Sequence, residues 1–166
     1  MIPAQKLLQR LLWLERVACV LAFAVLTAVL FADVLSRELT GAGLHWSGQA
    51  GVYANILLVL AGFGIATASG SHLRPRFVDQ LWPDSWAASL ERIQYLLTAA
   101  FCALIAVVAA GVTYDSWSFD ERSVSLGWPV WWFQALLPLA FVIAALRNGL
   151  YAVFSDLRPA TEEPAE

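Results

Sequence analysis

Charge is what this sequence of 166 residues has least of: Asp, Glu, Lys and Arg make up 14% of it, against roughly 25% in soluble domains. Apolar residues account for 60%, more than a water-soluble core of this length needs. Clustered ligands are missing too. His45 and His72 are the two histidines, and ~26 helical residues between them at 1.5 Å each set them roughly 40 Å apart, which excludes a shared haem iron or zinc. Cys19 and Cys102 lie in separate apolar runs without a neighbouring Cys or His, as buried free thiols do. The Gly-x-Gly of "TGAGLHWSG" follows no strand and lacks the rest of a phosphate-binding fingerprint. With no carboxylate or cysteine cluster, most hydrolytic chemistry is excluded as well. The sequence therefore predicts no enzyme, no metal, no cofactor and no nucleic-acid partner.

What is there comes in blocks. Apolar runs cover roughly 17–35, 52–68, 93–114 and 130–146, each close to the ~20 residues that cross a ~30 Å hydrocarbon layer as a helix. Backbone groups in lipid must pair within their own segment, and the alternation of barrel strands is missing, so helices are favoured. The fold class that follows is an all-α integral membrane protein with four transmembrane helices. "QKLLQRLLWLERV" sets leucines on one helical face and Lys6, Gln9 and Arg10 opposite, giving an amphipathic N-terminal approach helix. The first apolar run is too long for a signal peptide and has no small-x-small cleavage site behind it. A second amphipathic segment is expected between helices 2 and 3, where Phe77, Val78, Leu81 and Trp82 recur at helical spacing before Pro83. The four-helix domain spans 1–154, and the acidic, proline-containing tail 155–166 is expected to lack fixed structure.

Orientation follows from Lys and Arg near the span ends. Eight of them (Lys6, Arg10, Arg16, Arg74, Arg76, Arg92, Arg147 and Arg158) fall on one side, against Arg37 and Arg122 on the other. Both termini are thus expected in the cytoplasm. All eight tryptophans fall at or near span ends, where indole is both apolar and wet.

Polar groups inside the spans are few. Glu15, on the apolar face of the approach helix, is expected to snorkel at headgroup depth beside Arg16, with an intersubunit ion pair as the alternative. Asp33 and Arg37 stand four apart as a local pair, the competing reading being an ion-coupling site. Asn55, Gln94 and Thr98 suit interhelix hydrogen bonds. Gly62, Gly64, Ala66 and Ala68, and then Ala99, Ala103, Ala106 and Ala110, form small-residue stripes for close packing within the chain or against another membrane protein. Pro138, in mid-span, predicts a kink in the fourth helix.

Four elements in order resemble a known family, the small membrane subunit (Q subunit) of TRAP, or tripartite ATP-independent periplasmic, transporters. "DVLSR" resembles its Asp-Val-x-x-Arg and supplies Asp33 and Arg37. "LHWSGQAGVY", with Trp46, resembles its entry to the second helix. Gly62 and the "GSH" ending in His72 follow at the family's spacing, and "SVSLGWPVWWFQALLP" resembles its run through Trp128, Pro129 and Trp131 to Pro138. The sequence departs from the family where Gly48 and Gln49 replace acidic residues after Trp46–Ser47, and where Asp79 follows His72 at a longer interval.

The resemblance implies a scaffold in the bacterial inner membrane. Its partners would be a large membrane (M) subunit and a periplasmic binding protein, and it would support ion-driven, usually sodium-driven, uptake of organic acids. His72 would then lie at a cytoplasmic anchor, with Arg74 and Arg76 near phospholipid headgroups, the competing reading being that His72 caps the C-terminus of the second helix. The alternatives are a self-contained small transporter or a quinone- or lipid-binding bundle.

Overall fold

The computed structural model describes residues 2–69 and 87–158. Within it every apolar run is helical. Helix α1 spans Ile2–Thr40, α2 Ser47–Ala68, α3 Ala87–Ser118, α4 Trp131–Gln134 and α5 Leu136–Val153, with a single 3-10 turn at Ser155–Leu157. No strand occurs among the described residues, only an isolated antiparallel bridge between Arg122 and Pro129. Four spans are long and apolar enough to cross a membrane, the last being α4 and α5 together.

The approach helix and the first span are one element. The 39 residues of α1 run without interruption, about 58 Å at 1.5 Å per residue. It stops where the chain offers a residue free to turn left-handed: Gly41 has φ 74°, and its N–H donates to the Arg37 carbonyl at 3.0 Å, a C-terminal cap that glycine adopts without steric cost.

The fourth span breaks at Ala135, between α4 and α5. Pro138 has no N–H for the Gln134 carbonyl four residues back, and its ring crowds that carbonyl. The kink thus falls one turn ahead of the proline that causes it.

Packing arranges the helices as a row rather than a closed bundle. α1 lies along α2, α3 lies along α5, and a thinner α2–α5 seam joins the two pairs. In the most apolar stretches of α1 and α3 only 11% and 17% of residues are buried, against 33% in α2 and 28% in the fourth span. The flanks therefore show continuous apolar surface, including Val20 and Phe31 on α1 and Phe101 and Val107 on α3, for lipid or another membrane protein to cover.

Small side chains make the seams. Ala22, Ala54 and Ala61 are buried in the α1–α2 half, and Cys102, Ala106, Ala109 and Ala144 in the α3–α5 half, so backbones come close and dispersion contacts hold them. The buried stripe of α3 therefore differs from the expected one. Of Ala99, Ala103, Ala106 and Ala110, Ala106 alone is buried, because the face turned to α5 is set by Cys102, Ala106, Ala109 and Ser116.

The amphipathic segment expected between helices 2 and 3 lies outside the described residues, as do His72, Arg74, Arg76 and Asp79. At the other end, the first residues of the acidic tail fold back on the helices. Arg158 pairs with Glu91 at 2.6 Å and donates from Nε to the Tyr151 carbonyl at 2.9 Å.

Candidate functional site

Two polar fasteners hold the row, one at each end of the spans. The first joins α1 to the start of α2. Trp46 stands at the N-cap of α2 but makes no side-chain cap bond. Asp33, one helix away, ties down the turn that leads into α2. Its Oδ1 accepts from the Leu44 N–H at 2.8 Å and from the Ser47 hydroxyl at 2.8 Å, while Oδ2 pairs with Arg37 at 2.7 Å. The Ser47 hydroxyl also lies 2.7 Å from the Leu44 carbonyl, and its one proton serves either acceptor.

Gly43 suits this closeness, since a Cβ there would lie 2.8 Å from Arg37 Nε and 3.0 Å from Asp33 Oδ1 and would push the Arg37 side chain aside. The "DVLSR" and "LHWSG" elements are thus two halves of one turn-closing device, and within this chain Asp33 and Arg37 pair locally.

The second fastener corrects the reading of Glu15. Its carboxylate neither snorkels beside Arg16 nor waits for another subunit: Glu15 Oε2 meets Arg147 of α5 at 2.9 Å, with the Arg147 side chain 1% exposed. The same guanidinium donates from its other terminal nitrogen to the Gly64 carbonyl of α2. Three helices meet at this point. Gly64 leaves room for this contact, because a Cβ there would come within 2.5 Å of Glu15 Cδ and push that side chain aside. Arg147 is therefore no interfacial charge. It sits in the protein interior, where the carboxylate and the carbonyl offset its lost hydration. The sequence held part of the signal, an acid on the apolar face of one helix and a base directly at the end of another apolar run.

Gly62 behaves differently from Gly64. A Cβ at Gly62 would meet no atom within 4 Å, so no close helix contact among the described residues uses it.

A third tie holds the loop between α3 and α4. Ser123 N–H donates to the Trp128 carbonyl at 2.8 Å and Val130 N–H to the Glu121 carbonyl at 3.0 Å, framing a small hairpin around Pro129. Gly127 allows it with φ 66°. The hairpin is pinned to α2 by Gln49, whose Oε1 accepts from Ser125 N–H at 2.9 Å.

This gives the departure at Gln49 a physical reading, because the position uses a side-chain oxygen as acceptor, which an amide and a carboxylate both offer. Nothing in the spacing announced a partner 76 residues away. Beside it, Phe133 stacks on Tyr53 with centroids 3.8 Å apart and on Trp128 at 6.3 Å. An apolar groove of about 470 Å³ opens next to this stack, bordered by Trp46, Trp128 and the Ala18–Ala22 side of α1. Trp131 and Pro138 border a shallower recess against α3.

The remaining polar groups divide. Thr98 bonds back to the Gln94 carbonyl of its own helix at 2.9 Å, not across helices, and Asn55 is exposed. Among the described residues no cluster of His, Cys, Asp or Glu could hold a metal ion; Cys19 and Cys102 are free thiols.

Long apolar spans, polar contacts confined to their ends and an open row with unpaired flanks define a multi-pass helical membrane subunit that works as part of a larger assembly. The sequence profile of the DctQ component of tripartite ATP-independent periplasmic transporters matches residues 26–158, and the chain belongs to that family. It is a transporter component, not an enzyme. The ectoine TRAP transporter small permease protein TeaB of Halomonas elongata is 22% identical over 140 residues, covering 84% of this chain and 72% of that protein. As a small permease component, the chain is of a kind that works with a large membrane subunit and a binding protein.

Proposed function

We propose that the chain is the fixed scaffold of its transporter, supporting a large subunit that carries substrate and coupling ion during sodium-driven uptake of organic acids. The observation that carries this reading is the placement of charge. No Asp, Glu, Lys or Arg occurs in 17–32, 47–68, 93–114 or 131–146. Moving a carboxylate through lipid needs compensating groups at mid-depth, since a bare charge at a helix centre costs about 2.5 to 3.5 kcal/mol or more. A frame needs only apolar surface and anchored ends.

On this reading Asp33, Arg37 and Trp46 keep the α1–α2 turn in shape, Trp128, Pro129 and Trp131 shape the opposite loop on the same side, and Pro138 sets the bend between α4 and α5. On the same reading His72, Arg74 and Arg76 belong to a cytoplasmic anchor, the two arginines near phospholipid headgroups. The chain sits in the bacterial inner membrane with both termini in the cytoplasm. Withdrawing the buried Arg147 from the charge tally leaves seven against two, which still supports that orientation.

Reconstitution tests the function. In liposomes the chain alone moves no carboxylate under a sodium gradient. Uptake appears when the large subunit and the cognate binding protein are added, and omitting this chain abolishes it. Running ectoine in parallel checks the substrate class against that in TeaB's name. Uptake by this chain alone would refute the scaffold. Reporter fusions after Ala42 or Asp120 should read periplasm and those after Asp84 or Ala160 cytoplasm, and a periplasmic signal at Asp84 reverses the orientation.

A further inference from the structure

The outward face of α2 holds a polar group that has no partner among the described residues. Gly48, Val52, Asn55, Val59 and Gly62 recur at intervals of four and three, so they form one helical stripe about 21 Å long. Gly48, Val52, Asn55 and Val59 are exposed and Gly62 is half-buried. A Cβ at either glycine would meet nothing within 4 Å.

Asn55 lies eight residues beyond Ser47, ~12 Å along the axis from the level of Asp33. Glu15 marks the other end of the spans, 18 residues from Asp33 or ~27 Å, so Asn55 sits near mid-depth. Several polar side chains in the spans bond back to their own helices: Thr67 donates to the Phe63 carbonyl, Thr113 to that of Ala109, and the Asn148 amide nitrogen to that of Ala144. The Asn55 amide makes no such bond among the described residues, and hydrocarbon offers it none.

Resting on the scaffold reading above, we propose that this stripe seats a transmembrane helix of the large membrane subunit, which presents a hydrogen-bonding side chain or a freed backbone carbonyl at the depth of Asn55. Acyl chains cannot satisfy an amide, whereas a helix that brings a Ser, Thr, Asn or Gln can. The open glycines above and below Asn55 let a second backbone approach at both ends of the contact. A family member that is a small component of a larger transporter has such a helix at hand.

The test uses the full chain co-expressed with its cognate large subunit. A photo-crosslinking amino acid is placed at Val52, Asn55 or Val59, with Val107 on α3, 71% exposed, as a control for indiscriminate labelling. Adducts with the large subunit from the three α2 positions, and few from Val107, are expected. Adducts with lipid alone, with a second copy of this chain, or equally from Val107 overturn the proposal.

Asn55→Leu gives an independent readout, since it removes no contact inside the chain. The isolated variant should keep the parent's thermal midpoint while binding the large subunit about 3- to 15-fold more weakly, the span expected of one interhelical hydrogen bond in a membrane. Unchanged binding overturns the proposal. If the unmodified chain does not co-purify with the large subunit, the scaffold reading falls with it. If it co-purifies without α2 adducts, this inference alone falls.

Discussion

Glu15→Leu leaves the Arg147 guanidinium, 1% exposed, with the Gly64 carbonyl as its one remaining acceptor among the described residues, where Arg147 Nε already has no partner. At 2.9 Å and an effective dielectric of about 20, the lost attraction is about 6 kcal/mol before desolvation is counted. Breaking such a pair from one side costs about 3 to 5 kcal/mol, because a charge stays buried without compensation. Folded-to-unfolded ratios should therefore drop by roughly a hundredfold to several thousandfold.

Equilibrium unfolding of the purified chain in mild detergent measures this, alongside Arg147→Leu and the double replacement. The double variant should recover most of the loss, since two leucines bury no charge. A Glu15→Leu variant within ~0.5 kcal/mol of the parent, or a double variant no better than the worse single one, would refute the reasoning.

Gly64→Ala should cost about 1 to 3 kcal/mol by displacing the Glu15 side chain, whereas Gly62→Ala should leave the isolated chain as stable or raise it by up to ~1 kcal/mol through helix propensity; thermal unfolding separates the two. Ser47→Ala and Asp33→Leu should speed hydrogen exchange at the Leu44 amide, read by mass spectrometry over the α1–α2 turn, and unchanged protection would remove Asp33 from its turn-closing role. Gln49→Leu should release the hairpin and hasten tryptic cleavage at Arg122, while Gln49→Glu, which keeps the acceptor oxygen, should cleave like the parent.

The elements of the fold were legible because membrane solvent imposes them: apolar runs of sufficient length must be helices, and Pro138 must disturb the last of them. The first fastener was legible in part, since Asp33 and Arg37 stand one turn apart. Its link to Ser47 was not, because it depends on how tightly the Gly41–Gly43 turn folds. Glu15 was misassigned for a different reason. Hydropathy averages treat a charge near a span end as interfacial, and only tertiary packing brings Arg147 and Gly64 alongside it. Gly62 and Gly64 are equivalent in sequence; the rotation of α2 about its axis, set by Glu15 and by Leu26 and Leu30 against Gly51, decides which one is crowded.

The two fasteners also act as a gauge. Glu15 and Asp33 lie on one uninterrupted helix, so their separation of ~27 Å cannot stretch, and each is tied to a second helix that would have to slide with it. In a bilayer whose hydrocarbon layer is much thicker, one charged row must be drawn toward the acyl chains or the lipids must thin around the protein, each at a fraction of a kcal/mol per ångström. A rigid frame of fixed height therefore deforms the surrounding membrane instead of adapting to it. On the proposed scaffold reading, a moving partner mounted on that frame would work in a bilayer whose local thickness this small chain helps to set.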